Sequence, residues 1–312
     1  MTIDGGYVPG QIPQTYQPQP PAGDGTEGSR PGKAFGPAPE PLPVPVPDNH
    51  THLDYGAPGA VGISAALDAA AAAGVSGAVQ VGTDLESSRA AARLAHEDHR
   101  LLAAVAIHPN DAPELAAAGT LEDALAEIES LAQLPRVRAV GETGLDYFRT
   151  GPEGVGAQHY SFRRHIDIAR RTGTALQIHD RDAHDDVVKV LAEEAEPHAV
   201  VFHCFSGDAG LARICNEKGW YMSFAGTVTF RNAEGIRDAL AIAEPELVLV
   251  ETDAPFLTPH PYRGRSNASY MIPYTVRAMA EVRGVELDSF CASLSANTER
   301  VYGSWDQGSL PV

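Results

Sequence analysis

The sequence predicts an α/β fold, a TIM-type (β/α)8 barrel, on three observations. Short β-branched apolar runs alternate with Ala-rich amphipathic segments from about residue 46 onward, the signature of βα repeats. There are eight such runs, and eight units of roughly thirty residues make a barrel of about 250. No Gly-x-Gly-x-x-Gly follows the first run, which speaks against a doubly wound open sheet.

Strand one falls near residues 46–49, where Pro43, Pro45 and Pro47 also stand. Proline cannot donate to a sheet ladder, so this strand is either very short, from Asp48, or irregular. The remaining strands are read at 77–81, 101–107, 137–140, 175–178, 199–202, 220–224 and 247–250. Helical patterns lie between them at 63–73, 85–97, 121–134, 158–172, 183–195, 209–219 and 233–243. A final helical region covers 270–283 and then 287–295. The barrel so defined is a domain at 48–303, with a short tail at 304–312.

Residues 1–47 are rich in Pro, Gly and Gln and poor in large aliphatics. Such a stretch cannot bury enough surface to offset its ordering entropy. It is expected to be a disordered leader with extended Pro-x-Pro character near 39–47, either a simple tail or a docking segment for a protein partner. No run approaches the ~20 apolar residues of a membrane span, and the N-terminus lacks the basic and apolar regions of a signal peptide. The three cysteines, Cys204, Cys215 and Cys291, have neither zinc-ribbon nor thioredoxin spacing, which suits a reducing cytoplasm. A net charge of −18 excludes a protein that coats duplex DNA, because that function calls for a basic surface.

A parallel barrel gathers all C-terminal strand ends at one mouth. His50 and His52 follow strand one, His108 follows strand three, and Glu142 follows strand four, with Asp146 and Tyr147 beyond it. His179 ends strand five, His203 strand six, and Glu251-Thr252-Asp253 strand eight. Residues i and i+2 of an extended chain point the same way, so His50 and His52 aim two imidazoles at one spot. Each residue also has a bland reading. His108 suits a turn or a substrate contact, Glu142 could pair with Arg138 or Arg149, and Asp146 could cap its loop. His179 and His203 could be core histidines, while His96, His99, His159, His165, His184 and His198 are expected to be solvated. The joint placement at strand ends favours a shared site. Four histidines and two carboxylates exceed one tetrahedral ion and suit two divalent cations ~3.5–4 Å apart with a bridging carboxylate. The N/O set is compatible with Zn, Mn or Mg, geometry deciding among them, with Mg the least natural.

These residues resemble the TatD-type metal-dependent hydrolases of the amidohydrolase superfamily. The resemblance spans about 48–303 and is carried by five stretches. They are Asp48-x-His50-x-His52-Leu53-Asp54, Gly141-Glu142-x-Gly144-Leu145-Asp146-Tyr147, Ile178-His179-x-Arg181-x-Ala183, His203-Cys204-Phe205-Ser206-Gly207 and Glu251-Thr252-Asp253-Ala254-Pro255-Phe256-Leu257. It implies a TIM barrel and a divalent-metal hydrolase, often a deoxyribonuclease with 3′–5′ exonuclease action. By that analogy His50, His52, Glu142 and Asp253 hold one ion, and Glu142, His179 and His203 hold the other. Glu142 bridges, and Asp253 orients or deprotonates the attacking water. The chain departs from the family pattern in its Pro-rich leader, which lies outside that pattern, and at two places within it. His-Pro-His is His108-Pro109-Asn110 here, and Arg-Gly-x-x-Asn-Glu-Pro is Arg263-Gly264-Arg265-Ser266-Asn267-Ala268-Ser269.

The leading expectation is hydrolysis of phosphodiester bonds in single-stranded DNA or at DNA 3′ ends. Arg149, Arg181 and Arg263 in rim loops would hold flanking phosphates. His108, Asp146 and Tyr147 would complete the substrate contacts, and Tyr147, Phe148 and Phe205 would stack an unpaired base. The alternative is a binuclear-metal amidohydrolase acting on an amide or ester of a small molecule. A non-enzymatic, metal-held binding protein displaying its proline-rich leader is a third reading, opposed by the retained Asp253.

Overall fold

Alternation along each strand builds this barrel. In Leu101–Val105, Leu101, Ala103 and Val105 face the helices, while Leu102 and Ala104 face the barrel interior. In the computed structural model, which describes residues 35–55 and 60–305, eight strands form one sheet in chain order with every neighbouring pair parallel. They are β1 (Val46–Thr51), β2 (Val75–Val81), β3 (Leu101–Val105), β4 (Val137–Asp146), β5 (Ala175–Arg181), β6 (Val200–Phe202), β7 (Tyr221–Phe224) and β8 (Val248–Val250). The sheet closes just beyond β8, where Thr51 bridges Ala254 and the Asp253 N–H donates to the His50 carbonyl at 2.9 Å. Among the described residues ten α-helices surround it: α1 (Ala60–Ala72), α2 (Leu85–Glu97), α3 (Ala112–Ala118), α4 (Leu121–Ala132), α5 (Pro152–Thr172), α6 (His184–Glu193), α7 (Ala209–Lys218), α8 (Glu234–Ile242), α9 (Ile272–Arg283) and α10 (Leu287–Tyr302). Among the described residues no helix is long and apolar enough to cross a membrane.

Of the two expectations for strand one the irregular one holds: it is six residues long, with register shifts on both sides of Asp48. Three expectations need correction. β4 runs to Asp146 rather than stopping at Val140, so Glu142 lies within the strand. Helix α3 was not foreseen, being two turns long with Pro113 in its first turn and a left-handed Gly119 at its end. Residues 35–47 are not a free leader. Leu42 is buried and its N–H donates to the Ala73 carbonyl at 3.1 Å. The remainder of the expected leader, 1–34, and residues 306–312 of the C-terminal tail lie outside the described residues. Trp305 of that tail is anchored, its indole donating to the Arg100 carbonyl at 2.9 Å.

Polar groups close the lower end of the barrel. Gln177 Nε2 donates to the Asn49 carbonyl at 2.9 Å and to the Tyr302 hydroxyl at 2.7 Å. Asn49 Nδ2 reaches the Val250 carbonyl and Thr298 Oγ1. A low-dielectric interior makes such satisfied networks specific, and here they pin β1, β5, β8 and α10 to one another.

His165 is another correction, since it is fully buried on α5 rather than solvated. Its Nε2 accepts from the Ile107 N–H at 3.1 Å, and its Nδ1–H donates to the Ser161 carbonyl at 2.8 Å. This network admits only the neutral ring, and burial lowers its pKa from 6.5 to about 4. The folded pKa therefore lies below that of the unfolded chain. As pH falls, the unfolded chain takes up the proton first, so the contribution is intact above about 6.5 and is lost toward 4. Between pH 7 and 4, metal-free wild type should lose up to about 3 kcal/mol more stability than His165→Gln. Urea melts of both proteins at each pH check this, and parallel losses would refute it.

Candidate metal centre

The mouth of the barrel is built from backbone outward. At the end of β1, with His52 one residue beyond it, period two places His50 and His52 on one side, and their Nε2 atoms lie 3.2 Å apart. The Val81 carbonyl accepts from His52 Nδ1 at 2.9 Å, so Nδ1 carries the proton and Nε2 presents a bare lone pair, as a metal ligand requires. Asp253 adopts a left-handed backbone (φ 53°), tolerable for Asp, beside Thr252. The Thr252 N–H and hydroxyl both donate to the buried Asp48 carboxylate, at 2.9 and 2.6 Å. Asp253 Oδ1 thereby stands 3.8 Å from His50 Nε2 and 3.5 Å from His52 Nε2.

Glu142 owes its position to a bulge. Between Val140 and Thr143, β4 advances three residues while β5 advances two, from Leu176 to Ile178; such bulges re-aim side chains. Glycines flank it, and a Cβ on Gly141 would lie 2.4 Å from Gln177 Cβ. The Gly141–Glu142 peptide is cis. The two oxygens of Glu142 then face different partners. Oε2 lies 3.5 Å from His50 Nε2 and 3.9 Å from His52 Nε2. Oε1 lies 2.6 Å from His179 Nδ1, 2.9 Å from His203 Nε2 and 3.4 Å from His108 Nε2.

These contacts test whether divalent cations fit. Ligands ~2.1 Å from a tetrahedral ion are about 3.4 Å from one another, and His50 Nε2 and His52 Nε2 lie 3.2–3.9 Å from each other and from Glu142 Oε2 and Asp253 Oδ1. Among the described residues three donor trios lie within 4.8 Å: His50–His52–Glu142, His108–Glu142–His179 and His50–His203–Glu251. His50 Nδ1 and Glu251 Oε2 are buried without a hydrogen-bond partner. The donor chemistry therefore fits. Around Oε1 the shorter distances are those of proton-sharing pairs. Burial alone would raise the Glu142 pKa, but His203, His108 and His179 hold it well below the ordinary carboxylate range. His179 rises to about 9 despite its burial, through Asp146 and Glu142, and Glu142 and Glu251 likewise raise His203 against its burial.

Most of the residues expected at the site meet here. His108 sits edge-on to His179 with ring centroids 4.5 Å apart, inside the donor cluster. Asp146 does two jobs. Oδ1 accepts from the Phe148 and Arg149 N–H groups, and Oδ2 faces His179 Nε2 at 3.2 Å and accepts from Asn110 Nδ2 at 3.1 Å. Asn110, standing where the family pattern has a second histidine, thus helps orient Asp146. Tyr147 is committed elsewhere, its hydroxyl bridging His159 and Asp186 at 2.6 and 2.7 Å. Arg149 is exposed at the rim. Arg181 and Arg263 lie over the Phe148 and Phe230 rings, at 3.9 and 4.4 Å from the centroids. Phe205 is a correction. It is 1% exposed and packs on Phe202 and Phe224, so it cannot stack a base.

Two features escaped the sequence. Glu251 anchors His203 Nδ1 at 3.0 Å and accepts from the Cys204 N–H at 2.7 Å; its place two residues before Asp253 was the available signal. Tyr55 and Phe256, 48% and 42% exposed, meet edge to face at 5.0 Å, and Phe256 also lies edge-on to His52 at 6.3 Å. With Phe148, 63% exposed, they give the mouth an aromatic rim. Loop aromatics carry no mark in sequence of which way they face.

Comparison with known proteins agrees with this geometry. The family model described as "TatD related DNase" matches residues 47–303. The "Uncharacterized metal-dependent hydrolase TatD" of Mycobacterium tuberculosis is 47% identical over 261 residues, covering 82% of this chain and 97% of that protein. The "Uncharacterized metal-dependent hydrolase YabD" of Bacillus subtilis is 34% identical over 257 residues, covering 82% and 98%. The crystal structure of YJJV, a TatD homolog from Escherichia coli, superposes with a TM-score of 0.73 at 27% identity, covering 83% of this chain and 98% of that one. The chain belongs to the TatD-related DNase family and is a metal-dependent hydrolase.

Proposed function

We propose that this protein hydrolyses phosphodiester bonds of DNA, acting on single strands or 3′ ends as a 3′–5′ exonuclease. One observation carries the reading: Glu142 presents its two oxygens to two separate imidazole groups, at a mouth rimmed by the exposed rings of Tyr55, Phe148 and Phe256. His50, His52, Glu142 and Asp253 would hold one divalent cation, and Glu142, His179 and His203 the other, with His108 within reach of the second group. Zn and Mn suit the donors best. When bound, such a pair supplies Lewis-acid polarisation of the phosphate and lowers the pKa of a water.

The residues provide the rest. Asp253 Oδ1, held at the mouth by its own left-handed backbone, takes the proton of the attacking water. Water oxygen bonds to phosphorus, the P–O3′ bond breaks, and the O3′ leaving group is protonated from solvent. The released nucleotide keeps its 5′-phosphate. The rim aromatics stack an unpaired base, an interaction worth about 1–3 kcal/mol per base. Arg149, Arg181 and Arg263 would contact flanking phosphates.

Nucleotide release from 3′-labelled single-stranded DNA with Mn²⁺, Zn²⁺ or Mg²⁺ tests the reading. Asp253→Asn should reduce the rate by about 10²- to 10⁴-fold. Wild-type release no faster than that of Asp253→Asn would overturn the proposal. The net charge of −18 favours a second substrate class, a small-molecule amide or ester. A panel of short DNA against N-acyl amino acids separates the two.

A further inference from the structure

Residues 35–42 precede the family match, which begins at residue 47, yet they are tied to the loop that carries part of the site. Prolines at 37, 39 and 41 leave this segment few N–H donors, so it cannot join a ladder. Its carbonyls are bound instead by side chains from the far end of the chain. Arg265 Nη1 donates to the Phe35 carbonyl at 3.0 Å, and the Tyr270 hydroxyl to that of Gly36 at 2.6 Å. The Tyr274 hydroxyl reaches Pro37 O at 3.2 Å, and Arg277 reaches Pro41 O at 3.1 Å. Phe35 and Ala38 also pack, with Tyr262, on an apolar cluster containing Ala268, Tyr270 and Met271.

The β8–α9 loop held in this way leads directly to the site. Asn267 Nδ2 donates to the Thr252 carbonyl at 2.9 Å and to the Phe256 carbonyl at 2.6 Å, and the Asn267 N–H donates to Pro255 O. Asn267 thus brackets Asp253 on both sides and fixes the rim residue Phe256. Only Ala268 and Ser269 separate Asn267 from Tyr270, which holds Gly36 of the segment. We infer that residues 35–42 are a positioning strap, which holds the β8–α9 loop and Phe256 in the arrangement that binds substrate. The substrate part of this inference rests on the functional reading above. Asp253 has anchors of its own, in its N–H bond to the His50 carbonyl and in the Thr252–Asp48 pair beside it, so release of the strap should weaken substrate binding and leave metal retention intact.

The test uses the full chain carrying Phe35→Ser with Gly36→Val. A Cβ at Gly36 would lie 2.5 Å from Met271 Cε and 3.0 Å from Tyr262 Cγ, so a branched side chain must push Met271 and Tyr262 aside, while Phe35→Ser removes the ring that packs against this cluster. Tyr274→Phe is a gentler second variant, removing one hydrogen bond to the strap from outside the loop. Amide exchange of Phe256, Tyr262, Arg265 and Asn267 should accelerate by about tenfold or more in the double variant, as a local opening becomes cheaper, and by less in Tyr274→Phe. KM should rise on the order of fivefold while kcat stays within about twofold and bound metal is unchanged. Unaltered exchange in both variants overturns the inference. So does faster exchange with unchanged KM, or a kcat that falls together with metal content. If wild type hydrolyses no phosphodiester, the functional reading fails separately. The exchange result still decides the coupling, and KM is then compared on the ester or amide that wild type does cleave.

Discussion

Glu142→Gln is expected to remove divalent-metal binding and to reduce hydrolysis by at least about 10³-fold. The amide keeps the size of the carboxylate but has one acceptor oxygen where the site uses two. Oε2 faces His50 and His52, and Oε1 faces His108, His179 and His203. Whichever way the amide turns, one imidazole group meets an NH2 that cannot ligate. The replacement also removes the charge that sustains the protons of His179 and His203 in the metal-free protein. The variant should therefore fail to gain thermal stability on addition of Zn²⁺ or Mn²⁺, where wild type gains it by mass action. Elemental analysis and melting curves with and without metal measure this. A variant that keeps two tightly bound ions would show that Glu142 is not a bridge.

How far the sequence disclosed this arrangement depended on whether the signal was local. The continuous apolar run of β3 and the β-branched runs of β2 and β8 announce buried parallel strands, and histidines at strand ends announce a shared mouth. Glu142 was legible as a residue of the mouth but not as a strand residue, because the glycines around it interrupt the apolar run while they serve a bulge. The last two turns of α10 were missed for a similar reason. Asn297 and Thr298 look like surface residues, yet they are buried and spent on the Val248 carbonyl, Asn49 and the Leu294 carbonyl. His165 shows the same limit, since only the fold reveals the Ile107 N–H that it satisfies. The strap reads as a coil and is a coil. Its order comes from donors some 230 residues away, at Arg265 and Tyr270, which no local pattern encodes.

Gly144→Ala should be the most destabilising single-methyl change in the barrel wall, costing about 3–5 kcal/mol as the sum of backbone strain and overpacking. Gly144 has φ of 142°, a conformation L side chains rarely adopt, and it pairs with His179 across β4 and β5. A Cβ there would lie 2.1 Å from the His179 carbonyl oxygen and 3.0 Å from its carbon. That obstacle is backbone, so no rotamer relieves it; the strands must separate where His179 is aimed at Glu142. Gly173→Ala is the informative control. Its φ of 68° is also left-handed, but nothing lies within 4 Å of the added methyl, so the cost should be only the conformational one, about 1–2 kcal/mol. At ~2–4 °C per kcal/mol, the melting temperature should fall roughly 10 °C for Gly144→Ala and a few degrees for Gly173→Ala. Hydrolysis measured well below both melting points should drop only in Gly144→Ala, because the clash displaces a donor of the metal centre as well as a strand. Equal melting temperatures in the two variants would mean that β4 and β5 yield at this point without cost, and that the position of His179 does not depend on the glycine.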